Sequence, residues 1–179
     1  MSPRTGSDPT IQVNDAIERE IKQYGTLVHG DVKGANIVFN RDVYPRRISK
    51  VKKTAHKKGG DSAAVPLKCA LYDLQYVGLG LPALDLVYFL GTSVESSLLS
   101  PESEKELLQT YHAAFMHLSA HASDLPVYDF DTFWKHWELA LVDWYRFMAG
   151  WGCWGNDAWV ERRAKEIVRG WEAQGLDEL

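Results

Sequence analysis

Two oxygen-bearing side chains in a polar loop give the strongest chemical signal in the sequence. Asp31 and Asn36 stand five positions apart, after the apolar pair Leu27-Val28 and just before the apolar run 37–39. A carboxylate in such a loop can orient a substrate hydroxyl or accept its proton, and an amide oxygen can bind Mg²⁺, which prefers hard oxygen donors. The pair is suited to phosphoryl transfer, in which catalysis depends mainly on positioning and charge neutralisation.

Two further carboxylates follow later in the chain. Asp73 comes directly after the strand-like run 67–72. We expect it to lie beside the Asp31 loop and to bind the metal together with Asn36, because a magnesium ion that bridges nucleotide phosphates requires a second acidic ligand. Asp85 stands among apolar neighbours, where a charge must be paired or hydrogen-bonded.

Less specific interpretations stay open for several residues. Asp31 and Asn36 are also typical turn formers, and Lys33 also fits a solvated loop position. His29 is better suited to orienting the loop by hydrogen bonds than to acting as a base. The other histidines are expected at surface or half-buried positions rather than at a zinc site, because one isolated pair lacks the glutamate of a zinc-protease motif: His112, His117, His121 and His136.

Short strands and amphipathic helices must position these residues. The runs 37–39 and 67–72 are predicted to pair as a hairpin whose tip is the long basic segment 41–66. Cys69, on the second of these strands, is expected to be a small buried residue. Helical periodicity predicts helices over 11–23, 101–121, 130–150 and 157–173. Residues 84–90 are predicted to form the beginning of a further helix, or a short buried segment.

One aromatic stripe dominates the last third of the chain. Its members recur at alternating intervals of four and three: Phe130, Trp134, Trp137, Leu141, Trp144, Met148 and Trp151. This spacing is one face of a helix, which we expect to be capped by Asp129 or Asp131 and to end near Gly150 or Gly152. It indicates a buried core face rather than an aromatic ligand cage.

Composition limits the class of protein. The chain has 179 residues, 45% of them hydrophobic, a net charge of −4 and two cysteines, which is ordinary globular usage rather than that of a disordered or disulfide-rich protein. No apolar run approaches the length of a membrane span, and the segment 1–10 lacks the apolar stretch of a signal peptide. We therefore expect a cytoplasmic protein.

The small net charge conceals a segregation along the chain. Residues 41–68 carry nine Lys or Arg and two Asp, whereas residues 99–179 carry seven Lys or Arg and fourteen Asp or Glu. A basic block of this size could bind nucleic acid or a membrane surface. We favour a solvated loop with neither partner, because proline and glycine flank the basic run 46–58 and no aromatic residue is interspersed within it.

With these motifs in this order, the chain resembles the aminoglycoside phosphotransferase and choline kinase-like superfamily, and within it the ecdysteroid kinase-like branch. The resemblance covers about residues 24–115 and comes from four segments: His29-Gly30-Asp31 with Asn36, Asp73-Leu74-Gln75, Asp85-Leu86-x-Tyr88-Phe89-Leu90 with Thr92-Ser93, and Leu107-Leu108-x-x-Tyr111-His112. The spacing from aspartate to asparagine equals that of the kinase catalytic loop H-R-D-x-x-x-x-N.

The resemblance implies a chemical role for each candidate residue. It matches Asp31 to the catalytic aspartate, Asn36 and Asp73 to the metal ligands, Lys33 to a phosphate contact, His29 to a loop-supporting histidine, and Asp85 to the aspartate that braces the loop through backbone amides. These roles imply ATP and Mg²⁺ as cofactors. The implied reaction transfers the ATP γ-phosphate to a hydroxyl group of a small-molecule acceptor.

The resemblance also implies the fold. We expect residues 1–179 to form one α+β, kinase-like carboxy-terminal lobe that is mostly helical with a small catalytic β-hairpin, with 1–10 disordered and 101–175 a helical subdomain. Only 28 residues precede His29, and we expect the family's amino-terminal lobe to be absent.

We therefore expect phosphotransfer in the complete protein and little or no activity from this isolated chain. The alternative is a catalytically inactive remnant or binding module that retains the acceptor pocket.

Overall fold

The computed structural model describes residues 9–39, 68–120 and 126–175. The predicted basic loop at 41–66 lies outside the described residues, as does most of the segment 1–10 that we expect to be disordered. The last two residues of that segment, Pro9 and Thr10, belong to the first helix instead. Proline is well tolerated at such a position because the first N–H groups of a helix have no intrahelical partner.

Helices dominate the described chain. They are α1 (Pro9–Tyr24), α2 (Pro82–Ser93), α3 (Pro101–Ser119), α4 (Phe130–Trp151) and α5 (Asp157–Ala173). Each predicted helix is confirmed, with ends that differ by at most three residues. Four three-residue strands complete the set: β1 (Thr26–Val28), β2 (Ile37–Phe39), β3 (Cys69–Leu71) and β4 (Gly78–Gly80). The architecture is mostly helical with small sheets, which is compatible with the α+β class.

The strands form two antiparallel pairs, one nested within the other along the chain. β2 pairs with β3, with Val38 opposite Ala70, and the predicted pairing of these two runs is confirmed. β1 pairs with β4 over its whole length, a pairing that the sequence does not predict because Gly78–Gly80 has low strand propensity. The nesting places the loop 29–36, between β1 and β2, beside the loop 72–77, between β3 and β4.

Several side chains of these short strands are exposed to solvent. Cys69 and the other two residues of β3 are exposed, so the prediction of a buried Cys69 is wrong. The reason is that a three-residue strand in a two-stranded sheet has too little neighbouring structure to cover it. Leu27 and Leu79, which lie opposite each other on β1 and β4, are exposed as well.

The main core lies between α2, α4 and α5, and α4 contributes most of its large side chains. The predicted apolar face of α4 is confirmed for six residues: Trp137, Leu141 and Met148 are fully buried, and Phe130, Trp134 and Trp144 are half-buried. The seventh residue, Trp151, is 80% exposed because the helix ends there, at Gly152. Asp129 caps the other end by accepting the backbone N–H of Thr132 at 2.8 Å.

No helix in the described ranges has both the length and the apolar character needed to cross a membrane.

α1 packs against α4 through a smaller apolar cluster and a buried histidine. His136 is 1% exposed, and its ring contacts Glu20 of α1 at 3.0 Å. The prediction of a surface or half-buried position is therefore wrong for His136, which tolerates burial because both of its ring nitrogens are hydrogen-bonded. His112 is half-buried and His117 is exposed, as predicted, whereas His121 lies outside the described residues.

Candidate active site

The candidate site lies where the loop 29–36 meets the loop 72–77. The backbone N–H of Tyr72 donates to the backbone oxygen of Asn36 at 3.1 Å, which extends the β2–β3 pairing by one step. The Tyr72 hydroxyl also donates to the backbone oxygen of Ala35. These contacts hold Asp73, the next residue, beside the loop that carries Asp31.

Asp85, in the first turn of α2, holds the beginning of the loop 29–36. Its two oxygens accept the backbone N–H groups of His29 at 2.7 Å and of Gly30 at 2.8 Å. Hydrogen bonds to a carboxylate are stronger than those between neutral groups. Gly30 has a φ of +79°, and a Cβ atom there would lie 2.5 Å from the backbone oxygen of Tyr76. The position between His29 and Asp31 therefore requires glycine.

The His29 ring connects the two loops. Its Nδ1 accepts the backbone N–H of Asp31 at 3.3 Å, and its Nε2 lies 3.0 Å from the backbone oxygen of Tyr72. Because a backbone N–H can only donate and a carbonyl oxygen can only accept, these partners select the neutral tautomer with its proton on Nε2. Both ring nitrogens are used, so His29 supports the loop and has no nitrogen left for proton transfer.

The Asp31 carboxylate is buried among hydrogen-bond donors. Lys33 Nζ lies 3.0 Å and 2.9 Å from its two oxygens, and Asn36 Nδ2 lies 2.8 Å from one of them. Burial raises the pKa of Asp31, but hydrogen bonds from Lys33, Tyr88 and Asn36 outweigh burial and hold that pKa below its usual value. Asp31 is therefore an anion of fixed orientation that can accept a hydrogen bond from a substrate hydroxyl.

Lys33 pairs with Asp31 and still reaches solvent. The hydrogen bond to Asp31 raises the pKa of Lys33, and the nearby charge of Asp73 raises it further. The Lys33 side chain is 39% exposed. An ammonium group has three N–H donors, and Asp31 occupies two of them. The third can therefore bind an anion without breaking the ion pair.

Asn36 is buried, and its amide is oriented by Asp31. Nδ2 donates to the Asp31 backbone oxygen at 2.9 Å and to the Asp31 carboxylate at 2.8 Å. Both N–H bonds are thus used, whereas Oδ1 accepts no hydrogen bond from any described residue. Oδ1 is therefore the Asn36 atom that can bind a ligand.

Asp73 follows β3 in a rarely adopted backbone conformation. Its φ is 65°, and it is the one non-glycine residue in the described ranges with a positive φ. Aspartate is among the few residues that tolerate this left-handed region. The side chain is exposed, and Gln75 Nε2 donates to one of its oxygens at 3.3 Å. Asp73 is also near enough to Lys33 for its charge to raise the pKa of Lys33.

Two residues of α2 contribute to the site although the sequence motifs gave them no role. The Tyr88 hydroxyl faces Asp31, and burial together with this hydrogen bond raises the pKa of Tyr88 to about 12, so it stays a neutral donor. Ser93 Oγ accepts the backbone N–H of Gly34 at 2.7 Å. Both residues share a helix face with Asp85, being three and eight positions after it. That spacing is the signal that could have identified them.

The oxygen donors of the site match magnesium better than a transition metal. No group of three or more His, Cys, Asp or Glu residues is arranged around a metal position in the part of the chain that the structure describes. Mg²⁺ needs no such cage, because it keeps several waters and binds through one or two carboxylates together with substrate phosphates. The open Oδ1 of Asn36 and the exposed carboxylate of Asp73 fit that requirement.

Comparison with known proteins gives one match. Residues 58–123 match the ecdysteroid kinase-like family, which is part of the protein kinase-like and aminoglycoside phosphotransferase superfamily. The matched segment contains Asp73 and Asp85, whereas the loop 29–36 precedes it. No curated protein and no solved structure matches the chain significantly. Over residues 58–123, the chain is therefore similar to the ecdysteroid kinase-like family, as its motifs predict.

Proposed function

We propose that this chain carries the transfer site of a kinase-like phosphotransferase, which in the complete protein moves the γ-phosphate of ATP to a hydroxyl group of a small molecule. The observation that carries this proposal is the Asp31 carboxylate, an oriented anion in a loop that Asp85 holds through two backbone amides. The family match over 58–123 supports the same reaction class. Together they favour transfer chemistry over a turn of purely structural role.

Asp31 and Lys33 act on the reacting groups. Asp31 accepts the hydrogen bond of the acceptor hydroxyl and takes its proton as the new oxygen–phosphorus bond forms. The bond between the γ-phosphorus and the oxygen that bridges to the β-phosphate breaks in the same step, and ADP leaves. Lys33 helps to hold the pKa of Asp31 below its usual value and offers its third N–H to a phosphate oxygen. Because the two side chains already lie within 3.0 Å of each other, an acceptor oxygen on Asp31 and a phosphate on Lys33 become neighbours, which is the arrangement that transfer needs.

Asn36 and Asp73 would hold the magnesium ion. Asn36 supplies a neutral oxygen whose direction is set by its two hydrogen bonds to Asp31, and Asp73 supplies an exposed carboxylate on the neighbouring loop. When bound there, Mg²⁺ supplies positive charge that neutralises the phosphate oxygens. The family match implies ATP as the phosphate donor.

The experiment is ATP consumption by the purified complete protein, the form in which we expect turnover, with Mg²⁺ and a panel of hydroxylated sterols and amino alcohols. We expect acceptor-dependent turnover to fall by at least about 100-fold in Asp31→Asn, the usual effect of losing a general base. Asp15→Asn, at an exposed position of α1, is the matched control and should leave turnover unchanged. Nucleotide binding without turnover would favour the inactive remnant that keeps the acceptor pocket, and turnover that survives Asp31→Asn would contradict the proposal.

A further inference from the structure

A second concave surface lies away from the candidate active site, between α1, the first half of α4 and the end of α5. This groove has a volume of about 990 Å³, which is within the range of small-molecule sites. None of its lining residues contributes to the Asp31 site. Its aromatic walls include Tyr24, Trp134 and Trp171. The reaction proposed above assigns no role to this groove.

One carboxylate in the groove is held by two indole groups. Glu138 accepts Trp134 Nε1–H at 2.9 Å on one oxygen and Trp171 Nε1–H at 3.2 Å on the other. Both donors are neutral, so they fix the direction of the half-buried carboxylate without cancelling its charge. Each oxygen keeps a lone pair for a further partner.

A second groove carboxylate is held in the same way by a neutral imidazole. Glu20 accepts His136 Nε2–H at 3.0 Å, and His136 Nδ1 accepts the Tyr128 hydroxyl at 2.9 Å. Burial lowers the pKa of His136 by more than the neighbouring Glu20 raises it, which keeps the ring neutral. Tyr128 is itself buried, so this chain of hydrogen bonds orients Glu20 and is not open to a substrate.

Neither carboxylate forms an ion pair with a lysine or arginine in the described part of the chain. Arg19 and Lys135 also line the groove, together with a third acidic residue, Asp131. The lining therefore carries three carboxylates against two cations. Partly buried carboxylates without a cationic partner lower stability, and a bound cation would remove that penalty.

We propose that this groove binds a small organic ammonium ion, with Glu20 and Glu138 facing its charge and the rings of Tyr24, Trp134 and Trp171 facing its apolar groups. Aromatic rings beside carboxylates are the surroundings that such cations prefer, because the ring faces carry negative electrostatic potential. A hard metal ion fits less well, because the faces of the aromatic rings supply no oxygen ligands.

The experiment is an NMR and calorimetric titration of the purified chain with benzyltrimethylammonium chloride, at constant chloride concentration, with benzyl alcohol as the uncharged comparison. We expect the ammonium ion to bind and to shift the indole N–H resonances of Trp134 and Trp171, and benzyl alcohol to bind at least about tenfold more weakly. Glu138→Gln and Glu20→Gln should each weaken binding by about tenfold. The matched control Glu106→Gln, at an exposed position of α3, should not.

Asp31→Asn separates this proposal from the proposed phosphotransfer, because it should abolish turnover and leave ammonium binding unchanged. If Glu138→Gln does not fold, Glu20→Gln and the indole shifts still decide the question. Equal affinity for the charged and uncharged probes would overturn the proposal. Absence of binding at millimolar concentration, or shifts confined to residues outside the groove, would overturn it equally.

Discussion

Lys33 is the foremost of the groups that lower the pKa of the buried Asp31 carboxylate. Lys33→Met should therefore raise the pKa of Asp31. The measurement is the chemical shift of the Asp31 side-chain carboxyl carbon, followed by NMR as a function of pH. In the wild type, the stability that Asp31 contributes is present above the usual aspartate pKa of about 3.9 and is lost as pH falls through its lower folded pKa. Lys165→Met, on the exposed face of α5, is the control, and an unchanged Asp31 pKa in Lys33→Met would show that the ion pair is unimportant.

Asp85 is the residue on which the shape of the loop depends most. Asp85→Asn removes the charge that strengthens two backbone hydrogen bonds and should lower the free energy of unfolding by about 2 kcal/mol. Hydrogen exchange of the His29 and Gly30 amides should accelerate more than that of the α4 amides. The control Asp15→Asn should change stability by less than about 0.5 kcal/mol. Unchanged exchange at both amides would contradict the bracing role.

Asp31 and Asp73 could be found from the sequence because each lies in a loop that follows a short apolar run. Asn36 ends the first of these loops, and Asp85 is a charge among apolar neighbours. The contributions of Tyr88 and Ser93 could not be read in the same way. Their roles depend on which face α2 turns toward the loop, and that orientation is set by burial of the opposite face against α4 and α5. A helical wheel drawn from Asp85 is the sequence argument that predicts them.

At the level of elements, helix positions were predictable because capping residues and apolar periodicity agree. Ser100 and Asp129 cap the helices that follow them, and the α4 stripe is mostly core. β4 was not predictable, since two of its three residues are glycine and its position depends on pairing with a distant strand, β1. Local propensity carries little information about a pairing of that kind.

α3 is joined to α4 and α5 by a buried ion pair. Glu104 is 1% exposed, accepts Arg163 Nε–H at 2.8 Å and also accepts the indole N–H of Trp137 at 3.1 Å. Glu104→Ala should lower the free energy of unfolding by about 3 kcal/mol, because Arg163 keeps only the exposed Glu166 as a partner among the described residues and the Trp137 indole N–H loses its acceptor. Urea unfolding measures this change, and Glu106→Ala, exposed on the same helix, is the control. A loss similar to that of the control would show that solvent compensates Arg163.

The contact between α1 and α4 should make stability depend on pH through His136. Burial lowers the pKa of His136 in the folded chain, so the unfolded chain takes up the proton first. Stability should therefore be full above the usual histidine pKa of about 6.5 and decline as pH falls through the folded pKa. In His136→Gln, the free energy of unfolding measured with urea should decline less over that pH range. A pH profile identical to that of the wild type would contradict this assignment.

At the level of the whole molecule, the candidate site is assembled from two separate parts of the chain. The loop 29–36 precedes the family-matched segment, and Asp73 and Asp85 lie within it. The nested strand pairs and the Asp85 contacts join these parts. Sequence motifs indicated both parts and their order. Only the three-dimensional arrangement shows that one Lys33 donor and the Asn36 Oδ1 atom, on the same loop, have no hydrogen-bond partner among the described residues.

The most direct test of this account is NMR of the ¹⁵N-labelled chain with Mn²⁺ in place of Mg²⁺, because Mn²⁺ broadens the signals of nearby nuclei and needs no knowledge of the acceptor. The account predicts that Mn²⁺ with ATP broadens the amide signals of Gly34, Asn36 and Asp73 first. The double variant Asn36→Ala, Asp73→Asn should lose this pattern while keeping its fold. Broadening that is centred elsewhere, or that persists in the double variant, would contradict the assignment of the phosphotransfer site.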